Sequence, residues 1–294
     1  MKVEENPFRD SEVSTRTLVE SLVREDATID AGELYDVANA LDMSDQQVRL
    51  CIKRLVAEGK FVQEGRGRKA VLRATDLMRD SLEPDLDFVR YMYAQDRGEV
   101  SWDQRWHLAA FGVPESARPA RDSMRDTILR LGGAPIHGGL YVAANPWEER
   151  IRSTATQLGV VDHITTFTST DLTVGRRVDP REIAQHLWPL DRIADGHRRL
   201  HMAAEDYSRE LRTSTPVRHL AIAVALAAEF TRAMEPDPLL PPQLLPQPWV
   251  GTAARAAVAA CWAELLESTP AQPIRLFRWY SDAISAGAGF THAS

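Results

Sequence analysis

With 294 residues, 44% of them hydrophobic and 26% charged, the chain has an ordinary globular composition and the length of two or three domains. Acidic residues outnumber basic ones 42 to 35, a formal charge of -7, so non-specific binding to nucleic acid over the whole surface is excluded and any such contact must be local. No apolar run approaches the roughly 18 residues of a membrane span, and the opening MKVEENPFRDSEVS is too polar for a signal peptide, so a cytoplasmic protein is expected.

In chain order, the first readable segment runs from Ala31 to Thr75. Leu34, Val37, Ala38 and Leu41 keep the i, i+3, i+4, i+7 spacing of one helix face, and Val48, Ile52, Leu55 and Val56 repeat it after a break at Asp42-Met43-Ser44. Ser44 stands at an N-cap position with Gln47 three residues on, the pattern of a capping box, and Gly59 closes the second helix. Phe61-Val62 and Val71-Leu72 predict two strands around the flexible cationic tip Gly65-Arg66-Gly67-Arg68-Lys69. Residues 1–75 therefore read as a winged helix-turn-helix. Between Ser44 and Thr75 eight basic residues face three acidic ones, a local net charge of about +5.

The residues expected at DNA are Ser44, Gln46, Gln47, Arg49, Lys53 and Arg54 on the second helix, with Arg66, Arg68 and Lys69 on the wing. In this reading Gln46 and Arg49 meet base edges, while Lys53, Arg66, Arg68 and Lys69 meet phosphates. Cys51, inside the recognition helix, and the distant Cys261 indicate neither a disulfide framework nor a metal site and read as packing residues.

Residues 76–101 form a linker with some helix, ending at the Arg97-Gly98 breaker. From Trp102 to residue 178 strand and helix alternate: strand 106–113, helix 116–131, strand 139–144, a helix opened by Asn145 as N-cap with Pro146 at its first position, and the β-branched strand 161–170. This order predicts a ferredoxin-like domain. Residues 179–294 read as helices over 181–187, 192–211, 216–234, 251–267 and 274–286, with Leu220–Phe230 apolar nearly all round and so at the buried centre. Five prolines between 236 and 246 demand an extended connector, expected to pack across these helices. The fold class is α+β, in three domains.

Three stretches carry a family likeness. WDQRWHLAAFGVPE at residues 102–115, Leu131-Gly132-Gly133 with Gly139-Leu140-Tyr141-Val142 and Asn145-Pro146, and Glu235-Pro236-Asp237-Pro238-Leu239-Leu240-Pro241 with Leu244-Leu245-Pro246 and Trp249 follow in the expected order. The chain resembles the PaaX-like repressors of phenylacetate catabolism over about residues 14–270. That resemblance implies a dimeric repressor that binds double-stranded operator DNA and senses a small-molecule effector, an aryl-CoA thioester in the founding members. It departs from the family at Leu50-Cys51, where small or hydroxyl residues are common, and at Ala70-Val71, where an aromatic follows the basic tip. Trp102 and Trp106 are read first as anchors of the linker and second as ring contacts to the effector. Arg176 and Arg177 are read first as a solvated turn and second as partners of a CoA phosphate.

No nucleophile-base pair, P-loop or metal motif appears, and neither enzyme activity nor a cofactor is expected. His197 and His201 stand at i, i+4, but the run His-Arg-Arg-Leu-His lacks the glutamate of a zinc hydrolase. In the ferredoxin-like nucleases a carboxylate ends the first strand, whereas here that position reads Phe111-Gly112-Val113. The second reading that stays open is a protein-interaction module whose winged helix does not bind DNA.

Overall fold

The structure, a computed structural model, describes residues 13–81, 86–269 and 273–288. In chain order its elements are α1 (Thr15–Ser21), β1 (Thr28–Asp30), α2 (Ala31–Ala40), α3 (Asp45–Ala57), β2 (Phe61–Glu64), β3 (Val71–Ala74), α4 (Asp76–Ser81) and α5 (Leu86–Asp96). Then come β4 (Trp106–Phe111), α6 (Arg118–Arg130), β5 (Ala134–His137), β6 (Leu140–Ala143), α7 (Glu148–Gln157) and β7 (Ile164–Ser169). Five helices follow: α8 (Pro180–Leu187), α9 (Leu190–Leu211), α10 (Pro216–Met234), α11 (Val250–Ser268) and α12 (Arg275–Ala288). The result is the expected α+β architecture with two small antiparallel sheets. The chain divides into two compact units, one drawn from the described parts of 1–90, 198–232 and 253–294, the other from those of 91–197 and 233–252.

In the first unit α1, α2 and α3 turn their apolar stripes toward one another, burying Leu18, Val19, Leu34, Val37, Val48, Ile52 and Leu55. A three-stranded sheet in the order β1-β3-β2 closes this winged helix. Its strand β1 has no counterpart in the sequence reading. It exists because Thr28, Ile29 and Asp30 pair with Arg73, Leu72 and Val71 far along the chain. The helices of this unit centre on α10, where every residue from Leu220 to Ala227 is buried, as expected of an all-round apolar helix. Beside it Trp262 is fully buried, its ring 3.9 Å from that of Tyr280 and nearly parallel to it.

The winged helix is fastened to these helices by backbone as well as side chains. Arg24 and Ile274 form an isolated antiparallel bridge, with Glu25 N donating to Pro273 O at 2.8 Å and Arg275 N donating to Val23 O at 3.0 Å. Arg278 pairs with Glu25 at 2.7 Å. From α10, Arg218 donates through Nη1 to Ala40 O at 2.6 Å, satisfying a carbonyl at the C-terminus of α2, and also pairs with Glu210.

In the second unit the strands run in the order β5-β6-β4-β7, all antiparallel, with α6 and α7 as connections; this is the ferredoxin-like topology. Period-two alternation divides its residues between two cores. Ala109, Tyr141 and Ala143 face α6 and α7, joining Met124, Ile128, Trp147 and Ile151. Trp106, Leu108 and Val142 face the other way, onto Ile183, Trp188, Leu240, Leu244, Leu245 and Trp249. Both faces of the sheet are thus covered, which is why β4 is buried over four successive residues instead of alternating.

One expectation is extended here and one corrected. The proline-rich segment does pack on C-terminal helices, against Ile183 of α8 and Leu190 and Ile193 of α9, with Arg181 Nε donating to Gln243 O at 2.8 Å, but its leucines and Trp249 also fill the core beneath the ferredoxin-like sheet. Asn145 is not an N-cap. The position before α7 is Trp147, which makes no side-chain cap, while Asn145 Nδ2 donates to Leu239 O at 2.8 Å and its Oδ1 accepts from Tyr91 Oη at 2.8 Å. The same proline-rich segment explains the small residues at 132 and 133. A Cβ on Gly132, which has φ +82°, would stand 2.7 Å from Pro238 O, and one on Gly133 would stand 2.5 Å from the Trp147 ring.

Candidate nucleic-acid interface

The turn between α2 and α3 is set by backbone bonds and two caps. Asp30 accepts from Glu33 N at 2.8 Å to start α2, and Met43 N donates to Ala38 O at 2.9 Å across the turn, where Asp42 takes φ +58°. At α3 the capping box forms as expected: Gln47 N donates to Ser44 Oγ at 3.3 Å and Ser44 N donates to Gln47 Oε1 at 2.8 Å. Ser44 and Gln47, expected at DNA, are therefore engaged in ending the helix, although both stay exposed.

With Val48, Cys51, Ile52 and Leu55 buried, the side of α3 opposite the core is occupied by Gln46, Leu50, Lys53 and Ala57 at i, i+4, i+7, i+11, all exposed. Arg49 flanks this stripe on one side and Arg54 on the other; Arg54 reaches Glu58 at 3.8 Å. Cys51 is a packing residue, its thiol pushed up by burial, and the thiol of Cys261, deeper still, is pushed up to about 11 by the same cause.

The wing tip turns through Gly65 and Gly67, both at positive φ, with Gln63 Nε2 donating to Gly65 O at 3.1 Å. It folds back onto α2. Ala31 N donates to Ala70 O at 3.0 Å, and Arg68 pairs with Asp36 while its guanidinium lies over the Tyr35 ring, 5.5 Å from the centroid. Arg68 is thus tied to the protein by two neighbours on α2, the buried Tyr35 and the exposed Asp36, which give no sign in the sequence of that task. Arg66 and Lys69 point to solvent. Among the described residues no carboxylate pairs with Arg49, Lys53, Arg66 or Lys69.

The four positions expected to meet an effector fall in the second unit. Trp106 is buried, stacked on Trp188 with ring centroids 6.3 Å apart, and Trp102 meets its edge at 5.4 Å. Trp102 Nε1 donates to Arg105 O at 3.0 Å, so this pair acts as a core anchor. Val174 joins the same core, and Arg176 and Arg177 follow on a turn closed by the Val174 and Arg177 backbones, with Arg176 in solvent. His197 is fully buried and pairs with Asp237 at 2.7 Å, and His201 pairs with Glu205 at 3.3 Å. Among the described residues no group of three or more His, Cys, Asp or Glu side chains is arranged to hold a metal ion. No described helix is long and apolar enough to cross a membrane.

A winged helix with exposed cations on α3 and its wing, followed in one chain by a ferredoxin-like sheet and long helices, defines a multidomain protein of the winged-helix class. Three family models agree in the same order: PaaX-like protein over residues 12–77, the PaaX protein central Cas2-like domain over 99–183, and the PaaX-like protein C-terminal domain over 188–272. The chain belongs to the PaaX-like family, a family of transcriptional regulators and not of enzymes. Its fold is similar to that of the solved structure of the uncharacterized protein Rv0674 from Mycobacterium tuberculosis, at 20% identity and a TM-score of 0.51 over 87% of this chain and 99% of that one. No curated protein matches the sequence.

Proposed function

We propose that this protein is a DNA-binding transcriptional repressor of a catabolic operon, acting as a homodimer on an inverted repeat and released by a small-molecule effector such as an aromatic acyl-CoA. One observation carries the DNA-binding part. In a chain of net charge -7, Arg49, Lys53, Arg66 and Lys69 gather on α3 and the wing, and among the described residues no carboxylate is paired to them. Leaving cations unpaired while acidic groups are in excess makes sense where phosphates complete the pairing. Two recognition helices in a dimer would meet half-sites about one helical turn apart. An effector that binds one dimer geometry better than the other would set the spacing of the wings, and so the affinity.

Within the interface Gln46 and Arg49 are assigned to base edges, and Lys53, Arg66 and Lys69 to phosphates, with Arg68 holding the wing on α2. An anisotropy titration of the full chain against duplex from its own promoter, over a range of salt, tests this. Specific binding should be salt-sensitive, and Arg66→Ala with Lys69→Ala should lower the log-log salt slope by roughly two, near 0.9 per lost phosphate contact. Equal affinity for promoter and random duplex at moderate salt would instead favour the protein-interaction reading. Addition of an aryl-CoA should weaken the specific complex.

A further inference from the structure

We propose that Leu50 is a specificity residue that reads the methyl group of a thymine in the major groove, a role that rests on the DNA-binding reading above. The side chain is 60% exposed, although it is one of the larger apolar groups in the chain. A single exposed leucine is unremarkable in itself. Its position is what matters: it lies at the centre of the stripe opposite the α3 core, between Gln46 one turn before and Lys53 one turn after, with Arg49 alongside. The cations on this face draw the stripe toward a polyanion, and that charge complementarity identifies the groove of duplex DNA as the surface that covers Leu50.

Once there, an isobutyl group has one apolar partner of its own kind. Of the groups that base pairs present in the major groove, the C5-methyl of thymine is the one apolar group larger than a ring C–H, the others there being chiefly hydrogen-bond donors and acceptors. Against a guanine or cytosine edge Leu50 would strip water from polar atoms and return no bond. Gln46 is suited to the N6 and N7 of adenine, and at 1.5 Å of rise per residue it lies about 6 Å from Leu50 along the axis, close to two base-pair steps. The stripe Gln46-Leu50 is thus written for an A and a T within about two steps of each other in each half-site.

The test begins with duplexes enriched by the full chain from a random pool, in which each thymine is then replaced singly by uracil to delete only its methyl. For the native chain, uracil at one thymine per half-site should weaken binding about fourfold, the factor carried by one buried methyl-sized group. Leu50→Ala, a substitution at an exposed site, should keep the unfolding midpoint, bind the thymine duplex more weakly by at least that factor, and no longer distinguish uracil from thymine at that position. Leu50→Met should retain part of the difference. Enriched duplexes that show the same uracil profile with the native chain and Leu50→Ala overturn the role of Leu50 and leave the regulator reading standing. If no duplex is enriched over random sequence, both fall together.

Discussion

The winged helix and the ferredoxin-like domain are both small antiparallel sheets backed by helices, yet they treat polar side chains in opposite ways. In the ferredoxin-like domain polar groups are spent inward. His107, nearly buried on β4, lies between Glu148 at 2.6 Å and Asp103 at 3.2 Å. Burial pulls the Glu148 carboxyl upward, but hydrogen bonds from His107 and the backbone outweigh it and hold the group below its usual range. Asn145 is likewise committed to Tyr91 and Leu239. In the winged helix Arg49, Lys53, Arg66 and Lys69 face out, with no carboxylate attached to them among the described residues. One domain uses its polar residues to specify a packing, the other leaves them in solvent.

Substitutions can break or sharpen that contrast. The largest effect is expected inside the ferredoxin-like domain, where Trp106→Ala removes a fully buried ring from the core and should cost about 3–5 kcal/mol in unfolding free energy, measured by chemical denaturation. A loss below about 1 kcal/mol would reopen Trp106 as a ligand contact. Next comes Ser44→Ala, which breaks the capping box of α3 and should cost about 1 kcal/mol. Its effect on DNA affinity should follow from a looser helix start and be shared by Gln47→Ala. The smallest effect on stability, and the only one with a gain attached, belongs to Asp36→Ala. The ion pair it removes is half-exposed and worth no more than about 1 kcal/mol. Freed from Asp36, Arg68 becomes available to a phosphate, and the salt slope for duplex binding should steepen by about 0.9. An unchanged slope would mean that the contact with Tyr35 alone keeps Arg68 on the protein.

Much of this was legible in the sequence because it is local. The α2 and α3 stripes, the Ser44-Gln47 box and the apolar run of α10 each declare themselves within a few turns. What escaped was set by partners far away. A three-residue strand such as β1 shows no alternation and depends on β3, some forty residues on. Asn145 before Pro146 has the composition of a cap, and only the approach of Leu239 shows that its amide is used elsewhere. Arg68 reads as a free wing cation until Asp36, 32 residues earlier, is found beside it. For the interface itself the residue types were legible, but which of them point out together was not, and Leu50 stood out only as a departure from the family until its exposure put it at the centre of the stripe.

The bridge between Arg24 and Ile274 has a further consequence, in time. Residues 23–25 leave the ribosome early, whereas Pro273, Arg275 and Arg278, which bond to them, are some 250 residues away. At roughly 5–20 residues per second the winged helix must wait on the order of ten seconds or longer for the segment that completes its edge. A nascent or truncated chain would present α3 without that support, so the completed winged helix depends on a segment synthesised some 250 residues later.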